Sequence, residues 1–184
     1  EPVFEDDGSW DWRITEGADA AFRESFTWLE GDPDAVELQV VENEDGPALE
    51  ISGIDGLIMV VIGDDLSGVE IQGDLNSDAF DGTTALIHNV TSSADLHYWR
   101  RSGDTLAQGR LVDGADDVQD EERLDVTGWF SMRATGVDGH FYGYVNGETV
   151  SHTHTPTPDA GQTGLLLDGE GTVMLRRLAV QVVE

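Results

Sequence analysis

The 184-residue chain contains neither cysteine nor lysine. Without cysteine, disulfides and thiolate metal sites are excluded, and the redox compartment stays open. Long apolar runs are also missing. The longest, residues 57–62, is strand-sized and far short of the ~20 residues that span a membrane as a helix, so no membrane insertion is expected. There is no Gly-x-Ser-x-Gly elbow, phosphate loop or dinucleotide fingerprint, which leaves nucleophilic, phosphoryl and hydride chemistry without support.

Positive charge is scarce as well. Nine basic residues, all Arg, face 38 Asp and Glu, giving a net charge of −29. Nucleic acid demands a cationic track that displaces counterions, and this chain has none, so no nucleic-acid partner is expected. Anionic lipid surfaces are disfavoured on the same ground. Such self-repulsion destabilises a compact state at ordinary ionic strength, whereas near 1 M salt the screening length falls to about 3 Å. The acidic load therefore reads as adaptation to salty water. Its start at Glu1-Pro2 is that of a processed or trimmed polypeptide, consistent with an extracellular or cell-surface location.

What is abundant is material for a core. Five Trp, six Phe and three Tyr distinguish the chain from an acidic disordered one. Strand-length segments recur at residues 10–15, 36–41, 48–52, 57–62, 68–73, 83–90, 96–101, 106–112, 129–135, 140–146, 149–154, 164–167 and 172–183, separated by Gly, Asp and Asn. Residues 19–29 form the one candidate helix, with Phe22, Phe26 and Leu29 on one face. Glu44-Asp45-Gly46, Asp138-Gly139 and Asn146-Gly147 are hairpin turns, hence antiparallel pairing. The acidic stretch 113–125 reads as an exposed loop. About a dozen antiparallel strands without crossover helices predict an all-β fold, two sheets packed as a sandwich, and one domain over residues 1–184.

The second half of the chain carries a family pattern. Trp129-Phe130-Ser131-Met132-Arg133-Ala134, then His140 to Glu148 with its Val145-Asn146-Gly147 turn, then Gly161-Gln162-Thr163-Gly164-Leu165 and the final strand, resemble in order and spacing the concanavalin A-like lectins and glucanases. The resemblance covers roughly residues 68–184. It implies an antiparallel jelly-roll sandwich whose concave sheet often binds carbohydrate, in a group that includes lectins, carbohydrate-binding modules, laminin G-like domains, glucanases and keto-disaccharide hydrolases.

Glucanases of this group place two carboxylates two or four apart on one strand, and no apolar strand expected here does so. Adjacent Glu121 and Glu122 face opposite ways, and Glu42 and Glu44 end a hairpin. Sugar binding requires flat aromatic faces beside planar hydrogen-bonding groups. The best local match is His97-Tyr98-Trp99-Arg100-Arg101, where alternation puts His97, Trp99 and Arg101 on one face and Leu96, Tyr98 and Arg100 on the other. Tyr142 and Tyr144 point out of the sandwich by the same rule. The candidate ligand-binding residues are thus Trp99, Arg101, His97, Tyr142 and Tyr144, set against the plainer reading in which Trp99 is core.

Metal ligands stay unassigned. His152 and His154 are two apart on one strand face, about 7 Å from each other, but two imidazoles do not make a site, and His140 joins them only if the hairpin register allows. Asp74-x-Asn76-x-Asp78 begins like a calcium loop, then departs from it at Ala79 and Ala85. A structural calcium held by other Asp loops fits the resemblance. Asn89-Val90-Thr91 has the pattern of a glycosylation acceptor.

The expected function is a secreted or cell-surface, salt-adapted, non-catalytic domain that binds carbohydrate, such as a surface glycan, or mediates surface interaction. A keto-disaccharide hydrolase and a self-associating subunit of a fibre, capsid or surface layer are the alternatives.

Overall fold

Period-two alternation of buried and exposed side chains turns nearly every apolar segment into a strand in the computed structural model, which describes residues 1–184. Strands β1 (Val3–Phe4) and β2 (Trp10–Arg13) precede the helix α1 (Ala18–Glu24). β3 (Thr27–Glu30) and β4 (Glu37–Asn43) lead into the long strand β5 (Gly46–Leu66). Then come β6 (Val69–Asn76), β7 (Phe80–Ser92), β8 (Asp95–Ser102), β9 (Thr105–Val112) and β10 (Ala115–Arg123). β11 (Trp129–Val137), β12 (His140–Val145), β13 (Glu148–His154) and the long β14 (Gly161–Val182) complete the chain. All pairings are antiparallel, and no helix is long and apolar enough to cross a membrane.

Strand order β10-β9-β8-β7-β14-β6-β11-β12-β13 forms one continuous ladder that folds over on itself. The fold line crosses β14. Its first half pairs with β7 up to Gly171↔Phe80, whereas its second half pairs with β6 from Met174↔Asn76. β5 follows β14 along both halves, taking β4 at one end and β3 at the other. The sequence divides β5 and β14 into two strands each because Gly53, Asp55-Gly56 and Asp168-Gly169 look like turns. They are bends instead, with Gly53 at φ 68° and Gly56 at φ 111°.

The first sheet is therefore β10-β9-β8-β7 with the first half of β14, and the second is β13-β12-β11-β6 with the second half. They close face to face. The Trp99 indole N–H donates to the Tyr144 carbonyl at 3.1 Å, and the Ser151 hydroxyl donates to Asp120 at 2.7 Å and lies 2.8 Å from the Gln108 side-chain amide. Gly143 is required beneath Trp99, because a Cβ there would lie 2.7 Å from the indole ring.

The core between the sheets runs from Trp10 to Val180. At one end Trp12, Phe22 and Phe26 pack with ring centroids 5.0 to 5.9 Å apart. The helix is shorter than residues 19–29. Ser25 ends it, and β3 takes up Leu29.

The acidic stretch is a strand as well as a solvated surface. Asp113 (φ 51°) and Gly114 (φ 78°) make a tight hairpin turn, and β10 pairs with β9 along its length. A charged edge strand gains its hydrogen bonds from β9 while its side chains stay in water, and its carboxylates deter pairing with other chains.

His88 and His97 are buried side by side on the inner face, with Phe141 stacked 4.7 Å from His97. Burial pushes His88 down to about 4 against a partly offsetting hydrogen bond with Asn89, and burial with the neighbouring His88 pushes His97 to about 3. The unfolded chain takes up these protons near the ordinary value of 6.5, so the stability they contribute is complete above pH 6.5 and is lost as pH falls toward 4. For His88 the loss is on the order of 3 kcal/mol.

All nine Arg are engaged. Eight form ion pairs, and Arg101 donates to Ser77 and to the Val126 carbonyl. The pairs use only seven carboxylates, so most of the 38 have no cation beside them.

Two measurements follow. Raising KCl from about 0.1 M to about 2 M is expected to lift the thermal midpoint by more than about 10 °C, and a flat response contradicts the charge argument. In molar KCl, stability is expected to fall between pH 6.5 and 4, and His88→Leu should make that slope shallower. An unchanged slope contradicts the buried neutral histidine.

Candidate functional site

The outer face of the first sheet, opposite the core, has its own apolar cluster of Met59, Val61, Ala85, Ile87, Val90, Leu96 and Tyr98. Register places these side chains in rows. Met59, Leu166, Ala85 and Arg100 stand abreast on β5, β14, β7 and β8, and the next row holds Leu57, Asp168 and Thr83. Together they line a groove of about 210 Å³, with an apolar floor and with Arg100, Asp116 and Asp168 among its polar lining. That is smaller than the roughly 300–1,000 Å³ of a drug-sized site and suits a single ring.

One wall is fixed by a polar triad. Tyr98 lies over Gly109 and donates its hydroxyl to Asp116 at 2.5 Å, and Arg100 donates to the other Asp116 oxygen at 3.0 Å. The guanidinium also rests 4.5 Å from the Tyr98 ring centre. Burial pushes the Tyr98 phenol up, and its bond to the Asp116 carboxylate adds to this. Burial alone would raise Asp116, but the Tyr98 hydroxyl and Arg100 outweigh it and hold the carboxyl below its ordinary value. Asp116 is thus a fixed anion that orients Arg100.

The five residues singled out from sequence do not meet in one site. Trp99 is 0% exposed and fills the core, so its ring has no free face for a ligand. Arg101 is on the same inner side, over Phe130. His97 is buried but its edge borders a polar recess of about 310 Å³ with Asn89, Arg110 and Asp159. Tyr142 and Tyr144 do point outward, on the other sheet, where Tyr142 stacks on His152 at 4.1 Å and Arg133 covers Tyr144 at 3.8 Å. The groove instead uses Tyr98 and Arg100, one position out of phase with Trp99. The alternation of β8 separates these two sets, but both faces carry aromatic and cationic residues, so the strand alone does not say which faces in.

Other sequence motifs resolve differently. Asn89 is buried with φ 49° and donates to the carbonyls of Leu66 and Asp159, which makes it a structural clamp and removes it as a glycosylation acceptor in the folded chain. Asp78 accepts from the Gly128 backbone N–H with both oxygens at 2.9 Å, and Asn76 accepts from the Asp78 N–H, so this calcium-like segment serves the backbone. The hairpin register does bring His140 opposite His154. β14 also runs on through Asp168 and Glu170, so one strand does carry two acids two apart, contrary to the sequence expectation. Glu170 lies opposite Asp55 and Asp81, outside the groove lining.

No known family and no curated protein matches the sequence. Solved structures match it by shape. Carbohydrate-binding module CBM66 from Bacillus subtilis superposes with a TM-score of 0.65 at 15% identity, over 83% of this chain and 94% of that one. A β-1,3-1,4-glucanase (lichenase) derived from a mouse hindgut metagenome gives 0.63 at 8% identity, over 96% and 100%. A galectin of Caenorhabditis elegans gives 0.51 at 11% identity, over 91% and 99%. Strand order, the fold line through β14 and these superpositions agree that the chain has the jelly-roll sandwich fold of the concanavalin A-like proteins.

Proposed function

We propose that this domain binds carbohydrate without cleaving it, as a salt-adapted domain at an extracellular or cell-surface location, and that the groove on the outer face of the first sheet is the binding site. The observation that carries this reading is the groove itself, an apolar floor beside a rigidly oriented Arg100. A sugar ring offers a C–H face to Met59, Ala85 and Leu166 while its hydroxyls meet Arg100, Thr83 and Asp168. The carbohydrate-binding module and the galectin that share this fold support the ligand class. Asp116 is held as an anion, which is the wrong direction for a general acid.

A hydrolase is the second reading, favoured by Asp168 and Glu170, which share a strand face by alternation.

Glycan arrays and affinity electrophoresis in molar KCl test the first reading. Arg100→Ala and Asp168→Ala are each expected to weaken binding by roughly tenfold or more. Absence of any bound glycan, or affinity unchanged in both variants, sinks the groove assignment. Glycoside turnover that disappears in Asp168→Asn and Glu170→Gln replaces it with the hydrolase.

A further inference from the structure

Three of the five histidines in this chain converge at one place that the groove does not use. His140 lies on β12 and His152 and His154 on β13, all exposed on the outer face of the second sheet, with one ring nitrogen from each within 4.8 Å of the others. The ring centroids of His140 and His154 are 4.5 Å apart, as are those of His152 and His154.

A single irregularity makes this cluster. The Asn146-Gly147 turn sets Val145 opposite Glu148 and Tyr144 opposite Thr149. Continued without interruption, that register would pair His140 with Thr153 and turn His152 to the core side with Phe141. The structure instead bulges at Val150, so that Gly143 pairs with Ser151, Tyr142 with His152 and His140 with His154. The bulge sends Ser151 and Thr153 inward and both β13 imidazoles outward beside the third. A bulge re-aims side chains by one position, and here it gathers all three outward-facing histidines of the hairpin.

We propose that His140, His152 and His154 bind a borderline divalent transition-metal ion of the Zn²⁺ class, with a fourth coordination position open to solvent. Around a tetrahedral ion with Zn–N bonds of about 2.0–2.1 Å, ligand nitrogens lie roughly 3.3 Å apart. The imidazoles reach that spacing by closing about 1.5 Å, an adjustment open to exposed side chains on two hydrogen-bonded strands. Tyr142, stacked 4.1 Å over His152, limits how far that ring can turn. The donor set selects the metal. Three neutral imidazoles suit Zn²⁺, Cu²⁺ or Ni²⁺, whereas Ca²⁺ and Mg²⁺ require oxygen ligands, which this chain carries in quantity elsewhere. Three His ligands with an open position are also the donor set of catalytic zinc in carbonic anhydrase. The strongly negative surface raises the local concentration of any divalent cation.

The test is Zn²⁺ titration by calorimetry in molar KCl with excess Mg²⁺ to occupy the carboxylates, together with Co²⁺ as a spectroscopic probe. One equivalent of Zn²⁺ is expected to bind, and Co²⁺ is expected to show the intense visible bands of a low-coordinate nitrogen site. His140→Ala, His152→Ala and His154→Ala are each expected to weaken Zn²⁺ by at least about tenfold. Because all three side chains are exposed, unchanged circular dichroism in the variants checks that the fold is kept. The proposal is overturned if the triple alanine variant binds Zn²⁺ as the parent does, or if Co²⁺ gives only the weak bands of an octahedral oxygen site.

Discussion

The antiparallel pairing of β5 with β14 is the constraint on which the rest of the molecule depends. Two strands of more than twenty residues stay paired from Gly161↔Leu66 to Leu175↔Leu49, with register shifts after Gly161 and Gly171. Each bends at glycines and carries the chain from one layer to the other. Since β7 pairs with the first half of β14 and β6 with the second, the fold line of β14 sets which side chains face inward on β7 and β6 and on the strands paired to them, up to the bulges at the sheet edges. Period-two alternation then propagates that choice to β8 and β12 without further freedom.

On β8 the choice puts Trp99 in the core, hydrogen-bonded across to β12 and resting on Gly143, which forces Tyr98 and Arg100 onto the outer face. The groove is therefore a consequence of core packing. Its floor is apolar because β5, β7 and β14 are apolar on both faces, the pattern of strands covered on each side. Its rim is polar because β10, an edge strand with six charged residues among nine, brings Asp116 over the end of Tyr98. The polar rim of the groove and the acidic edge of the sheet come from the same strand.

Much of this architecture was legible in the sequence. The hairpin turns at Asp138-Gly139 and Asn146-Gly147, the alternation of β11 and β12, and the closing strand are local signals, and local signals survive reading one segment at a time. The strand β10 was not legible as a strand, because its stability comes from backbone bonds to β9 and not from apolar side chains. The Asp113-Gly114 turn before it was the available clue. The continuity of β5 and β14 was hidden because bends and turns use the same residues. Neither the inward face of β8 nor the meeting of the three histidines could be read, since the first depends on β14 and the second on a bulge at Val150 that no residue type announces.

The central claim is that the binding face is the one carrying Tyr98 and Arg100, set there by the burial of Trp99. Amide chemical-shift mapping in molar KCl, with the tightest-binding oligosaccharide from a glycan array, addresses it most directly. The account predicts perturbations that cluster on Met59, Leu166, Ala85 and Arg100 across four neighbouring strands. Perturbations confined to Tyr142 and Tyr144 on the opposite sheet, or none at saturating sugar, would contradict it.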